Sequence, residues 1–196
     1  MTLYQLAALL LMAAFYGCYL VKQLRQRQQG IQTNQLGRGK TGFVKGIEIS
    51  LEVCSCVLPL MELYAILRNV TALPAWARVL GLLLTLAGTV VFILAVRTMK
   101  DSWRAGVPKK DETKLVTTGI FSVSRNPAFL GFDLMYSGLL LMFFSWPLLA
   151  ATVVMMVVFH LQIVNVEEDF LAEAFGAAYE TYRKQVCRYF GRRRGR

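Results

Sequence analysis

Arg78-Val-Leu-Gly-Leu-Leu-Leu-Thr-Leu-Ala-Gly-Thr-Val-Val-Phe-Ile-Leu-Ala-Val96 carries no charge after its first residue and, wound as a helix, is about as long as a bilayer core is thick. Within it Gly81, Thr85 and Thr89 recur every fourth residue, with Gly88 beside them, so one face of the helix is built of small side chains. In lipid, where apolar burial drives no association, such a face is where a second helix approaches closely. Four further apolar runs flank this one: Leu3 to Val21, Ile47 to Leu67, Ala128 to Phe144 and Leu148 to about Val166. The reading is an all-α polytopic membrane protein of about five transmembrane helices, a single domain over residues 1–196. The composition agrees, with 56% apolar residues in a chain of 196.

Between the runs the charges sort by side. Lys22, Arg25, Arg27, Arg38, Lys40 and Lys45 follow the first run without one acid; Arg97, Lys100, Arg104, Lys109, Lys110 and Lys114 follow the third, diluted only by Asp101, Asp111 and Glu112. Basic loops stay in the cytoplasm, which places the amino terminus outside and the carboxyl terminus inside. The net charge of +10 therefore belongs to membrane flanks, and nucleic acid is not an expected partner. The first run has no basic segment before it and a strongly basic one after it, so it reads as an anchor and not as a signal peptide. Gly39-Lys40-Thr41 suggests a phosphate loop, but the glycine that motif requires falls at Asn34 and no strand precedes it. Cys18, Cys54, Cys56 and Cys187 form no metal-ligand spacing and read as small apolar residues; no metal is expected.

Polar residues inside the apolar runs are the next signal. Glu48, Glu52, Ser55, Pro59 and Glu62 fall on one face of the second run, and Asp133 lies in the fourth. Charge at membrane depth is expensive and normally faces a cavity. Glu52 is read as cavity lining, Glu48 either as lining or as an interfacial carboxylate paired with Lys45, and Glu62 with Arg68 as near the outer surface. His160 is read as packed, with Gln162 and Asn165 in reach. Past Glu167 the positions Leu171, Phe175, Ala178, Tyr182 and Val186 repeat at near-helical spacing, predicting a separate interfacial helix. Its basic end, Arg188, Arg192, Arg193, Arg194 and Arg196, reads as a flank for anionic lipid.

The most demanding residues lie in Leu115-Val-Thr-Thr-Gly-Ile-Phe-Ser-Val-Ser-Arg-Asn-Pro-Ala-Phe-Leu-Gly131. Gly119 permits a turn, Pro127 forces Asn126 out of helical geometry and opens a new helix, and Arg125 at the mouth of an apolar segment requires an anion. On the same side of the membrane is Glu167-Glu-Asp-Phe-Leu-Ala-Glu-Ala-Phe-Gly-Ala-Ala-Tyr-Glu-Thr-Tyr182. Together these runs resemble the isoprenylcysteine carboxyl methyltransferase family, in the elements Leu-Val-x-x-Gly-x-Tyr/Phe-x-x-x-Arg-x-Pro-x-Tyr/Phe-x-Gly and Glu-Glu-x-x-Leu-x-x-x-Phe-Gly-x-x-Tyr-x-x-Tyr. Met99 to Val107 is similar to the polar segment before the first element in bacterial members. About the C-terminal half is covered, with Asn126 where the family often has histidine and Phe129 in place of tyrosine.

The resemblance implies an S-adenosyl-L-methionine-dependent membrane methyltransferase, with the cofactor held by about residues 97–188 and a lipidic or prenylated acceptor reached from membrane lipid. It implies the bacterial inner membrane as the location. Arg125 and Glu168 are then the catalytic pair at opposite ends of the cofactor, Arg125 on its carboxylate and Glu167 or Glu168 on its ammonium. Leu115, Val116, Phe121 and Phe129 would surround its adenine, with Gly119, Asn126 and Pro127 shaping the turn. Glu52, Trp103, Asp133 and Tyr179 are the expected acceptor contacts. Methyl transfer from a sulfonium needs positioning more than a protein nucleophile. The chain lacks a glycine-rich dinucleotide fingerprint, which excludes a soluble doubly wound methyltransferase. A sterol-reductase-like enzyme using NADPH and a non-enzymatic membrane scaffold are the alternatives.

Overall fold

The computed structural model describes residues 1–31, 34, 36, 40–104 and 114–193. The Gly37 to Gly39 part of the phosphate-loop reading, the loop charges Lys109, Lys110, Asp111 and Glu112, and the tail residues Arg194 and Arg196 lie outside them. Six helices form: α1 Leu3–Gln28, α2 Gly42–Arg68, α3 Ala75–Met99, α4 Pro127–Met142, α5 Trp146–Gln162 and α6 Glu168–Gln185. Among the described residues there is no strand. Four stretches are long and apolar enough to cross a membrane, Leu3–Gln28, Gly42–Arg68, Ala75–Ser102 and Trp146–Gln185; α4 is a shorter apolar helix. The chain is an all-α polytopic membrane protein. Leu83, Leu86, Val90 and Leu94 of α3, like Val53, Val57 and Leu60 of α2, are exposed, as suits side chains whose solvent is hydrocarbon.

The small-residue face of α3 does what its spacing predicts. A Cβ added at Gly81 would come within 2.5 Å of the Gly138 carbonyl oxygen, and one at Gly88 within 2.6 Å of the Gly131 carbonyl oxygen and the Met135 amide. Thus α3 and α4 touch backbone to backbone, and neither glycine has room for a side chain. Thr85 and Thr89 are buried in this seam and return their hydroxyls to the Gly81 and Thr85 carbonyls at 2.8 Å, leaving neither hydroxyl unpaired. Beside the seam Phe15 stacks on Phe92 at 4.2 Å, and Phe132 packs edge-on to both.

Helix ends follow local chemistry. Thr2 and Gln5 cap α1 reciprocally. Gln5 also donates to the Ile66 carbonyl at 2.8 Å, fastening the start of α1 to the end of α2. Asn69, in the left-handed region that asparagine tolerates, ends α2. Ser145 caps α5 ahead of Pro147, and three residues, 143–145, join α4 to α5.

Three expectations change. Glu62 is not near a surface but buried, 1% exposed, and neither of its carboxyl oxygens has a hydrogen-bond partner among the described residues. The polar face of α2 divides: Glu48 and Glu62 pack inside, whereas Glu52, Ser55 and Pro59 line an open cavity. Nor does Glu48 reach an interface: it is fully buried, whereas Lys45 is exposed. The last helix starts where the sequence places it, and without a break: a π turn at Ile163–Glu167 carries α5 into α6, which bends at Gly176.

Candidate active site

A cavity of about 590 Å³ opens between α1, α2, α4, the α5–α6 junction and the two loops leading into α4. Of the residues read from sequence, Leu115, Val116, Phe121, Arg125, Asn126, Pro127, Phe129 and Glu167 line it together with Glu52 and Trp103. Gly119 does not reach the cavity but makes its wall possible. At φ +60, with Thr98 3.2 Å from where a Cβ would be, it starts the tight turn Gly119–Ser122 that aims Phe121 inward. Pro127 is the first residue of α4, and Asn126, at φ −129, stands just outside it.

Arg125 has found its anion inside the protein. Its side chain is 3% exposed; one terminal nitrogen lies 2.9 Å from a Glu168 carboxylate oxygen and the other donates to the Tyr179 hydroxyl at 3.1 Å. Its Nε–H, also buried, has no partner among the described residues. Glu168 in turn accepts a two-pronged contact from Arg188, at 3.0 and 2.9 Å. That bonding pushes the Arg188 guanidinium still further above its ordinary pKa. The expectation that Arg125 and Glu168 hold opposite ends of one ligand is therefore corrected: they are ion-paired, and Glu168 lies behind the cavity wall. Glu167 is the acid that lines the cavity, with one oxygen accepting from Gln162 at 3.3 Å. Consecutive residues on a helix point about 100° apart, so one of the two carboxylates serves the cavity and the other serves Arg125.

Two further expectations fail for reasons of packing. Tyr179 is fully buried beneath Arg125, and Asp133 is absent from the cavity wall, so neither can touch an acceptor there. His160 does not pair with Gln162 or Asn165; its Nδ1 lies 2.7 Å from the Tyr189 hydroxyl, and the two rings stack. Arg188 leaves the lipid flank for Glu168. What the sequence does not reveal is the deep end of the cavity: Tyr16 and Tyr136, whose hydroxyls meet at 3.3 Å, with Phe132 and Phe159. Tyr16 and Tyr136 lie far apart in the chain, and an aromatic residue in an apolar run does not announce which way it faces. Tyr182 is legible in the sequence only as a motif letter; its hydroxyl donates to the Phe121 carbonyl at 2.6 Å, tying α6 to the turn before Arg125.

The same stretch of chain answers to a known family. Residues 76–178, more than half of the sequence, match the phospholipid methyltransferase model. The chain belongs to the phospholipid methyltransferase family. The protein-S-isoprenylcysteine O-methyltransferase of Saccharomyces cerevisiae is 34% identical over 110 residues, which cover 55% of this chain and 46% of the yeast protein. The match thus spans about half the length of that curated relative. The phospholipid methyltransferase region runs from the start of α3 into α6 and contains the seam, Arg125 and both glutamates. Membership implies a methyl donor.

Proposed function

We propose that the protein is an integral-membrane methyltransferase that uses S-adenosyl-L-methionine and acts on an amphiphilic acceptor, in the first instance a prenylcysteine-type carboxylate. The observation that carries this reading is the cavity wall itself: a buried Arg125 with one N–H unpartnered among the described residues, a carboxylate at Glu167, and apolar side chains between them. These residues fit the donor. Arg125 suits its carboxylate, Glu167 its ammonium, and Leu115, Val116, Phe121 and Phe129 its adenine. When bound, this donor supplies an electrophilic methyl group on a sulfonium. The protein contributes orientation and dryness, for which Trp103, Phe132, Tyr136 and Phe159 give an apolar enclosure and Glu52 with Ser55 an open polar side. The yeast relative's name supplies the prenylcysteine acceptor, and the apolar depth of the cavity suits a lipidic tail.

In this reading the site opens on the cytoplasmic side, with the amino terminus outside, as the loop charges require. In a cysteine-free background, a cysteine at Ala72 should react with an impermeant thiol reagent in intact cells and one at Lys114 should not; the reverse pattern would overturn the orientation.

Calorimetric titration with S-adenosylhomocysteine tests the function. The parent should bind it and not NADPH. Arg125→Ala, which removes a desolvated charge from the site, should lose about 2–5 kcal/mol, a rise in Kd of roughly 30-fold or more. NADPH binding in place of S-adenosylhomocysteine would sink the proposal.

A further inference from the structure

We infer that residues 186–193, after α6, form a clasp that sets the Arg125 guanidinium, and that Arg188 is its positioning residue; the inference rests on the donor-binding role given to Arg125. The arginine-rich composition of this segment reads as a solvated flank, yet its backbone folds back on itself and onto the loop before α4. The Cys187 amide donates to the Gly191 carbonyl at 2.9 Å and the Arg193 amide to the Gln185 carbonyl at 2.8 Å. Across to the site loop, the Arg125 amide donates to the Cys187 carbonyl at 3.1 Å and the Gly191 amide to the Val123 carbonyl at 2.7 Å. The Asn126 side-chain amide donates to the Arg188 carbonyl at 3.2 Å. Tyr189, against His160, pins the other side of the clasp to α5.

Arg188 decides how Glu168 is shared. A carboxylate and a guanidinium left alone pair through two parallel hydrogen bonds. Here Arg188 takes Oε2 at 2.9 Å and shares Oε1 at 3.0 Å, so Arg125 keeps a single contact to Glu168, at 2.9 Å. The outcome is two positive groups about one carboxylate and an Arg125 Nε–H with nothing to bind among the described residues, on a residue that lines the cavity. Without Arg188, Glu168 is free to close both oxygens on Arg125, which satisfies the buried pair and withdraws Arg125 from the ligand. Arg188 thus acts on binding through competition for Glu168, more than on folding.

The test is S-adenosylhomocysteine titration and unfolding temperature of the full-length protein in detergent, for the parent, Arg188→Ala and Arg188→Lys. For Arg188→Ala the Kd should rise about tenfold or more while the unfolding temperature stays within a few degrees of the parent, because Arg125 and Glu168 remain paired. For Arg188→Lys, which still occupies one oxygen as a point charge, the rise should be smaller, about threefold. Added guanidinium ion at low millimolar concentration should recover part of the loss in Arg188→Ala and none in Arg125→Ala. Parent-like binding by Arg188→Ala overturns the inference and leaves the proposed function standing. Loss of binding and of unfolding temperature together in both variants, with no recovery by guanidinium, overturns it in favour of a purely structural tail. A parent that does not bind S-adenosylhomocysteine overturns the proposed function and the inference with it.

Discussion

The α3–α4 seam and the motif-bearing end of the molecule are both tightly determined, by opposite means. In the seam, Gly81, Gly88, Gly131 and Gly138 bring two backbones into contact, and its threonine hydroxyls are satisfied within their own helix. At the motif-bearing end, the backbone is irregular and specificity comes from polar links between segments far apart in sequence: Arg125 to Glu168, Glu168 to Arg188, Tyr182 to Phe121. Shape holds the part that faces lipid, where the hydrophobic effect gives helices no reason to associate. Charge and hydrogen bonds hold the part that carries the polar wall of the cavity.

This contrast can be broken in three places. The largest effect is expected from Glu168→Ala, which leaves the buried Arg125 without its anion and should cost about 3–5 kcal/mol of stability, read as a lowered unfolding temperature in detergent. A loss near zero would mean that the arginine pair is solvated and that the motif-bearing end is not held by charge. Next is Gly138→Ala in the seam, whose new methyl would meet the Gly81 carbonyl oxygen at 2.5 Å and should cost about 1–3 kcal/mol by forcing α3 and α4 apart. If Gly138→Ala is neutral in thermal unfolding, the two helices do not rely on contact at this point. The smallest is Tyr182→Phe, which removes one buried hydrogen bond to the Phe121 carbonyl and should cost about 1 kcal/mol. Its effect on S-adenosylhomocysteine affinity should exceed that of Gly138→Ala, since it loosens the turn that aims Phe121; equal effects would erase the distinction between the regions.

The same contrast explains how much of the molecule is legible in its sequence. The seam is written in a local code, one small residue per helical turn, and Pro127 and Gly119 state their backbone requirements in single letters. The spans follow from such signals, and the motif before α4 supplies part of the cavity wall. The pairing of Glu168 with both Arg125 and Arg188 does not, because nothing local tells a carboxylate which of several arginines it will meet. The tail misleads for the same reason: five arginines in a short run look like a lipid flank, and only the fold shows that Arg188 turns inward to Glu168. Depth in the membrane suggests Asp133 as a ligand contact and the family motif suggests Tyr179, but neither depth nor a motif letter fixes the direction in which a helix presents a side chain. Glu167 and Glu168 are interchangeable as letters and become distinct only once the helix carrying them is fixed in rotation.

The shortness of α4 bears on how an acceptor is delivered. With 16 residues the helix is about 24 Å long, against a hydrocarbon core of about 30 Å. If its outer end sits at one edge of that core, Arg125 and Asn126 at its inner end stand roughly 6 Å inside the opposite edge. Lifting an amphiphile by that distance would bring roughly five methylenes into water, at about 0.8 kcal/mol each, or about 4 kcal/mol in total. If the protein acts on an amphiphile as proposed, a site sunk by the shortness of one helix spares that acceptor the extraction work.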